Sequence, residues 1–509
     1  MGGFRTAMIK RAGVALLLVS LWAAGLVGGT LFGWWRRPLA PSDDSGAFMQ
    51  AAISMVNADN RANTALILIE RGAIGAEYYS SSADSIDRNT VFATASLSKW
   101  ITAHAVMKLV EQGKLDLDRP VESYLTRWHL PASSFSSRDV TARRLLSHTA
   151  GLTDGLGFGD YRLDEALPTL EEALAAPRAS TDRPSAPITV GIEPGTQFQY
   201  SGGGYLLLEL LVEELSGEQF ETFVNREVLQ PLGMVRSGHA DLSATTNSAK
   251  SYYADGRPAP IYRYASRAAT GFTTTASDMV RLVLAQLRTV EGSPLAKRTL
   301  ESMRTAEATS MGVDIWGLGT VLYAPTKHGG AIFGHDGINE PAISATVRIN
   351  PDTEDAIVVL STGSKTLASQ LGAEWVFWQT GVPDILTIPT EIRRVLPLLG
   401  GGACGIVLLT FVPVWRMRRT RMKGATKSNY EKGRPANRHL VHGRVTPARG
   451  KQRRIKRWMT ADLSTDRAIS KTARACEGVD VEDGTGMKAI HRRTGSGIRS
   501  ARLRRSRYS

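Results

Sequence analysis

Two uncharged apolar runs bracket most of this chain, and they constrain its folding more than any other feature. Residues 12–35 form a run of 24 and residues 395–415 a run of 21. As helices they would reach about 36 Å and about 31 Å, against a hydrocarbon core of ~30 Å. Arg5, Lys10 and Arg11 precede the first run. Trp34, Trp35, Arg36 and Arg37 close it as an aromatic belt with snorkelling cations. A cleaved signal peptide is the rival reading. The run outlasts a normal signal core and no A-x-A cleavage site follows it, so an uncleaved anchor is expected.

The second run holds Gly400, Gly401, Gly402, Gly405, Pro397 and Pro413, a composition that membrane helices tolerate better than buried soluble ones. Arg416, Arg418, Arg419, Arg421 and Lys423 follow at once, the mark of a cytoplasmic flank. The expected order is a cytoplasmic N-terminus (1–11), a membrane helix (12–35), a linker (36–45) and one exported domain (46–380). A linker (381–394), a second membrane helix (395–415) and a cytoplasmic tail (416–509) complete it. Gly25, Gly29 and Gly33, like Gly401 and Gly405, are spaced for close helix packing. Cys404 and Cys476 both fall outside the exported domain, which has no disulfide to form.

Charge divides the chain in the same way. Residues 416–509 hold 27 Lys and Arg against 7 Asp and Glu, a formal +20, while the remainder holds 35 against 41, a formal −6. The net +14 therefore belongs to the tail, and nucleic-acid binding by the main domain is not expected. The tail lacks apolar periodicity and reads as disordered. A solvated topology anchor or a mere extension explains it more simply than attraction to anionic lipid or nucleic acid.

Within the exported segment a helix is expected after the linker. Two β-rich runs follow, 64–70 and 73–80, separated by Arg71-Gly72, a hairpin signal. Helical spacing covers 98–112, 203–215 and 277–287. Strand-like runs return at 317–324, 331–334, 342–349 and 356–361, before a closing helix near 367–378. Strands at both ends with helices between predict an α+β fold. One antiparallel sheet would be assembled from the two ends and flanked by helices, with a mainly helical second lobe.

Ser96-Leu97-Ser98-Lys99 is an S-x-x-K pattern at a helix start, which puts Ser96 and Lys99 on one face and within reach of each other. Helix-start amides favour a developing negative charge there. A serine hydroxyl needs a base, and a lysine with its ordinary pKa is neutral only about 0.04% of the time at pH 7. Lys99 must then be depressed by burial or work with another base. Tyr200-Ser201-Gly202 follows a Pro194-Gly195 turn and precedes a helix, and Gly334-His335-Asp336-Gly337 closes a strand.

In this order the three elements resemble those of the serine β-lactamase and penicillin-binding-protein-like superfamily. The nearest branch is the class C β-lactamases, D-alanyl-D-alanine carboxypeptidases and related esterases, with elements S-x-x-K, Y-x-N and K-T-G or H-x-G. LLSHTAGL at 145–152, GKLDLDRPVESYL at 113–125, EPGTQFQYSGGGY at 193–205 and AATGFTTTASDM at 268–279 agree with it. The resemblance spans roughly residues 46–380. It implies a β-lactamase/transpeptidase-like fold and a small-molecule or peptide-like substrate. Ser96 would be the acylated nucleophile, Lys99 would relay its proton and Tyr200 would be the general base. His335 would stand in for the third-element lysine, polarising the site or binding a substrate carboxylate. Ser96 and Ile338 would supply oxyanion-hole N–H groups, and Gly337 would let substrate approach the strand edge.

Gly202 departs from the pattern, since it replaces the Asn of Y-x-N that touches a substrate amide in the family. Efficient β-lactam or peptide turnover is thereby weakened, and acyl transfer is not. No H-E-x-x-H or clustered Cys/His motif points to a metal, no G-x-S-x-G elbow to an α/β-hydrolase, and no cofactor is expected. His148 within LLSHTAGL reads as structural, and His104 as a packed or solvated helix residue. The expected protein is a membrane-anchored serine hydrolase acting through an acyl-enzyme on an ester, peptide-like amide or β-lactam. The alternative is a slow-turnover or non-catalytic sensor of cell-wall fragments or β-lactams. The oligomeric state is left open.

Overall fold

Residues 64–69 (TALILI) offer hardly any polar face, so a strand there must be covered on both sides. The computed structural model describes residues 2–59, 62–82, 85–154, 159–178, 186–239, 241–288 and 292–431. The first elements are α1 (Gly2–Leu31), α2 (Ser45–Asp59), β1 (Asn63–Glu70), β2 (Ala73–Ser81), β3 (Val91–Ala93) and α3 (Ser98–Glu111). The middle contributes α4 (Ala142–Leu146), β4 (Asp160–Tyr161), α5 (Leu170–Ala175), α6 (Gly203–Ser216), α7 (Phe220–Val224), β5 (Arg263–Tyr264), β6 (Thr273–Thr275), α8 (Ala276–Leu287) and α9 (Lys297–Met303). Then come β7 (Ala308–Ser310), β8 (Val313–Trp316), β9 (Val321–Pro325), β10 (Ala331–Asn339), β11 (Ile343–Asn350), β12 (Asp355–Thr362), α10 (Leu367–Thr380) and α11 (Ile388–Glu431).

One eight-stranded antiparallel sheet runs in the order β2-β1-β12-β11-β10-β9-β8-β7. The two ends of the segment meet where β1 pairs β12, with Ile67 opposite Val358. Alternation then sorts the side chains. Leu66, Leu68, Ile357 and Val359 pack with Phe48 of α2 and Leu371 and Trp375 of α10. Ala65, Ile67, Ile69, Val358 and Leu360 join the core that holds Trp100 and Ile101 of α3 and the helical middle. Burial of each such aliphatic side chain contributes about 1.5–3 kcal/mol. The antiparallel sheet built from both ends, with the helical lobe on one face, is what the sequence pattern predicts.

Both apolar runs are helical, and each helix has a stretch long and apolar enough to cross a membrane: Met8–Leu31 and Ile385–Val412. Their limits differ from those expected. Helix α1 stops at Leu31, and residues 32–35 form a turn in which Gly33 has φ +68, so the aromatic belt lies beyond the helix. Helix α11 already begins at Ile388, inside the segment expected to be a linker. It also runs past Trp415 to Glu431, where unstructured chain was expected, because Arg, Lys, Met and Ala lose little freedom in a helix. The tail beyond that point, 432–509, lies outside the described residues.

The two apolar helices run antiparallel against each other. Trp22 Nε1 donates to the Leu398 carbonyl and Arg11 Nη1 to the Thr410 carbonyl, at 3.3 Å each. A Cβ on Gly402 would strike the Trp22 ring. Just after α1, Arg36 Nη2 reaches Glu374 Oε1 at 2.6 Å and its guanidinium lies 4.8 Å from the Phe377 ring centre. Trp378 Nε1 donates to the Pro41 carbonyl at 2.8 Å. The entering chain is thus fastened to α10.

Candidate active site

The nucleophile turn is the short 3₁₀ segment Ala95–Leu97, one step before α3 rather than within it. Ala95 has φ +49, a left-handed conformation that costs an L-residue roughly 1–2 kcal/mol. The surrounding bonds hold it there. Ser98 Oγ donates to the Ala95 carbonyl at 2.6 Å and accepts from Phe272 N at 3.0 Å, while Thr94 Oγ1 donates to the Phe272 carbonyl at 2.8 Å. Ser96 alone in this turn is partly exposed between buried neighbours.

Lys99 is fully buried, with Nζ 3.3 Å from Ser96 Oγ and 2.9 Å from the Ala269 carbonyl. Burial lowers its pKa to about 7, against an opposing pull from Asp154. Of the two routes open to this lysine, depression by burial is the one the structure takes. Its ammonium also lies 5.0 Å from the Tyr200 ring centre. The Tyr200 hydroxyl is hydrogen-bonded to Ser96, and burial raises its pKa well above the ordinary phenol value. Burial thus holds the proton on Tyr200 and brings Lys99 nearer to neutrality.

The Ala269 carbonyl is itself positioned from α6. Ala268 N donates to the buried carboxyl of Glu209 at 3.0 Å, and Thr102 Oγ1 donates to the Ala268 carbonyl at 2.8 Å. Desolvation pushes Glu209 up to about 8. Asp154 fixes the turn into α6 by accepting from Ser201 Oγ at 2.8 Å and from Gly203 N. Gly202 is buried at the head of α6 and its carbonyl accepts from Tyr205 N at 3.0 Å.

Strand β10 does not close before His335, as expected, but continues to Asn339 because β11 pairs along its full length. Its other edge pairs β9 only over Ala331–Gly334, and the stretch from His335 onward faces the nucleophile turn. Gly337 makes that approach possible. A Cβ there would overlap the Thr94 carbonyl, so the missing side chain lets β10 pack against the nucleophile turn. Ile338 is 48% exposed at the same edge.

His335 is buried, and its Nδ1 lies 2.6 Å from the Asp336 carbonyl. A carbonyl only accepts, so Nδ1 carries the proton and Nε2 presents a lone pair, without a hydrogen-bond partner among the described residues. Burial and the nearby Lys99 charge hold His335 down to about 4. The ring is held neutral at pH 7, so it offers the site an acceptor nitrogen rather than a lysine-like charge.

The structure therefore gathers Ser96, Lys99, Tyr200 and His335, with Gly337 against the turn that carries Ser96 and Ile338 beside it on β10. His148, read from the sequence as structural, lies with its ring centre 4.3 Å from that of Tyr200, and Trp316, which the sequence reading did not single out, lies 5.4 Å from His335. Neither the single histidine of LLSHTAGL nor the isolated Trp316 carried a local signal for this packing. His104 is packed and apart from the site, bonded to the Trp100 carbonyl at 2.7 Å and Gln286 at 2.8 Å. Among the described residues no group of His, Cys, Asp and Glu is placed to hold a metal ion.

Comparison with known proteins identifies the family. The chain is 28% identical over 349 residues to penicillin-binding protein 4 of Amycolatopsis lactamdurans, covering 63% of this chain and 87% of that protein. It is 33% identical over 193 residues to esterase EstB of Burkholderia gladioli, covering 34% of this chain and 44% of the esterase. Among solved structures, EstCE1, a hydrolase with promiscuous acyltransferase activity, superposes with TM-score 0.52 at 22% identity over 66% of this chain and 97% of its own. A class C beta-lactamase mutant does so with TM-score 0.52 at 19% identity over 65% and 97%. These two share the fold, a β-lactamase/transpeptidase-like arrangement of sheet and helices. The Beta-lactamase family model matches residues 50–376, and the chain belongs to that family of serine hydrolases.

Proposed function

We propose that this protein is a membrane-anchored serine acyl hydrolase whose catalytic domain lies outside the cytoplasm and acts on esters or peptide-like amides of limited size. The observation that carries the chemistry is Lys99 Nζ, fully buried and 3.3 Å from Ser96 Oγ. With a pKa of about 7 this amine is neutral in roughly half the molecules at pH 7. Ser96 Oγ attacks the substrate carbonyl carbon as its proton passes to Lys99. The oxyanion is received by the backbone N–H groups of Ser96 and Ile338, donors typically worth ~3–4 kcal/mol each. The proton returns to the leaving alkoxide or amine by way of Tyr200, and water repeats the sequence on the acyl-enzyme to free the acid.

Labelling with a fluorophosphonate probe, followed by an ester, peptide and β-lactam panel, tests this reading. Ser96→Ala is expected to abolish labelling and to leave turnover at about 10³–10⁴ over water at most. Labelling that persists in Ser96→Ala refutes the assignment and moves it to another serine. The membrane placement is supported by the two apolar helices, their antiparallel contact and their cationic flanks. A reporter fused after residue 425 should behave as cytoplasmic and one inserted near residue 42 as exported. Both on one side would sink the two-span topology.

A further inference from the structure

We propose that His148 is the positioning residue of Tyr200, holding the tyrosine hydroxyl at Ser96 through its ring nitrogen, its carbonyl and its ring face together. This rests on the acyl-transfer role of Ser96 and Tyr200 given above. Helix α4 ends at Leu146, and Ser147 Oγ turns back to the Arg143 carbonyl at 2.9 Å. His148 then takes φ +57, a left-handed conformation that is uncommon outside glycine and that persists where the surroundings over-determine it.

The surroundings are the loop that carries Tyr200. Gly195 N donates to the Thr149 carbonyl at 2.7 Å, and Gly191 N to the Gly151 carbonyl at 3.0 Å. Gln199 N donates to the His148 carbonyl at 2.7 Å, and Ser201 N to His148 Nδ1 at 3.1 Å. These two donors are the residues on either side of Tyr200. Between them the imidazole lies against the phenol, with ring centres 4.3 Å apart and planes inclined by 34°. Tyr200 is held at both flanks and on one face by a single residue.

The tautomer follows from the same bonds. Since Nδ1 accepts from Ser201 N, the proton of the neutral ring sits on Nε2, which is buried without a hydrogen-bond partner among the described residues. An unsatisfied buried donor is destabilising, and the arrangement retains it while keeping the Nδ1 acceptor. The groups facing the ring are Lys99 from α3, His335 from β10, Tyr205 from α6 and Trp316 from β8. Burial, with Lys99 and His335 nearby, holds His148 well below its ordinary pKa, so the acceptor persists at neutral pH.

Two substitutions separate acceptor from ring. His148→Phe keeps a ring and removes the acceptor. His148→Asn keeps an acceptor at the place of Nδ1 and suits a left-handed backbone. The assay is hydrolysis of p-nitrophenyl butyrate by the full-length protein, with the folded fraction counted by fluorophosphonate titration. His148→Phe is expected to lower kcat by about 10–100-fold, the scale of a misplaced catalytic group, with KM changed less than about threefold. His148→Asn should retain most of kcat. In a Tyr200→Phe background neither substitution should lower kcat further, since residues acting through one another are not additive. Losses that multiply in the double variants overturn the proposal, as does wild-type kcat in His148→Phe. If His148→Phe yields no folded protein, His148→Gln, which displaces the acceptor by one methylene, takes its place in the cycle with Tyr200→Phe. Turnover that survives Ser96→Ala would instead overturn the acyl-hydrolase reading itself, so the two failures are distinguishable.

Discussion

Arg348 on β11 meets Asp384 just ahead of α11, with Nε and Nη2 each 3.1 Å from the same Asp384 oxygen and both side chains buried. The same guanidinium holds Asp336, the residue after His335, with Nη2 3.1 Å from Asp336 Oδ2. Alternation along β10 sends the Asp336 side chain to the face opposite the active site, where Ser369 Oγ also donates to it at 3.1 Å. Asp384 Oδ1 accepts from Leu386 N at 2.8 Å and so starts the turn into α11. One buried arginine therefore joins the catalytic strand to the second apolar helix.

Asp384→Ala removes one partner of that buried network and leaves the Arg348 charge under-compensated. Breaking a buried pair in this way typically costs about 3–5 kcal/mol. Thermal unfolding should show a marked drop in melting temperature, smaller for Asp384→Asn. Melting temperatures unchanged from the parent protein would mean that Asp336 alone satisfies the arginine.

Lys99 sets the pH dependence. A protonated lysine cannot accept the Ser96 proton, so kcat/KM for a neutral ester should fall as pH drops through about 7. The folded pKa lies below the free value of 10.5, so between about 7 and 10.5 the unfolded chain binds the extra proton and this group's contribution to stability rises with pH. A pH–rate profile with no acid limb near 7 would assign the base elsewhere.

Gly337→Ala places a methyl against the Thr94 carbonyl and pushes β10 away from the nucleophile turn. Overpacking of this kind costs about 1–3 kcal/mol, and a displacement of ~1 Å in the site costs about 10²-fold in rate. The expected result is a folded but weakened domain with strongly reduced acylation. Wild-type labelling by a fluorophosphonate would show that the strand and the turn move independently.

Gly202 is expected to govern substrate choice. Without a side-chain amide there, an amide substrate must find water or another donor, whereas an ester has the easier leaving group. Short activated esters should be hydrolysed faster than penicillins or cephalosporins. Gly202 has φ −80 and ψ −38, so Gly202→Asn brings no backbone strain and should raise β-lactam acylation. Faster hydrolysis of β-lactams than of every ester by the parent protein would sink the idea.

Local pattern carried much of this structure. The Arg71-Gly72 turn, the apolar runs of β1 and β12 and the helix after Ser96 were all readable, because hydrophobic period and turn residues act over short spans. The S-x-x-K spacing likewise anticipated the 3.3 Å approach of Lys99 to Ser96. Side-chain environment was not readable. The neutral tautomer of His335 depends on a carbonyl one residue away and on burial by Trp316 and Lys99, which arrive from distant parts of the chain. His148 read as structural because its partners, Gln199 and Ser201, lie some fifty positions further on. Gly337 suggested an open strand edge, and only the docked nucleophile turn reveals what that glycine accommodates.

Arg36 on Glu374 and Trp378 on the Pro41 carbonyl close the junction between α1 and the domain, while Arg348 and Asp384 close the junction with α11. Neither connection has slack. An enzyme on a loose tether samples a volume that grows with linker length. On the proposed two-span topology, fastening at entry and exit would hold this domain at one height above the bilayer, with its mouth at a constant tilt. Its encounters would then be governed by what drifts past in that thin layer, and a single cut in either connection would leave it in place.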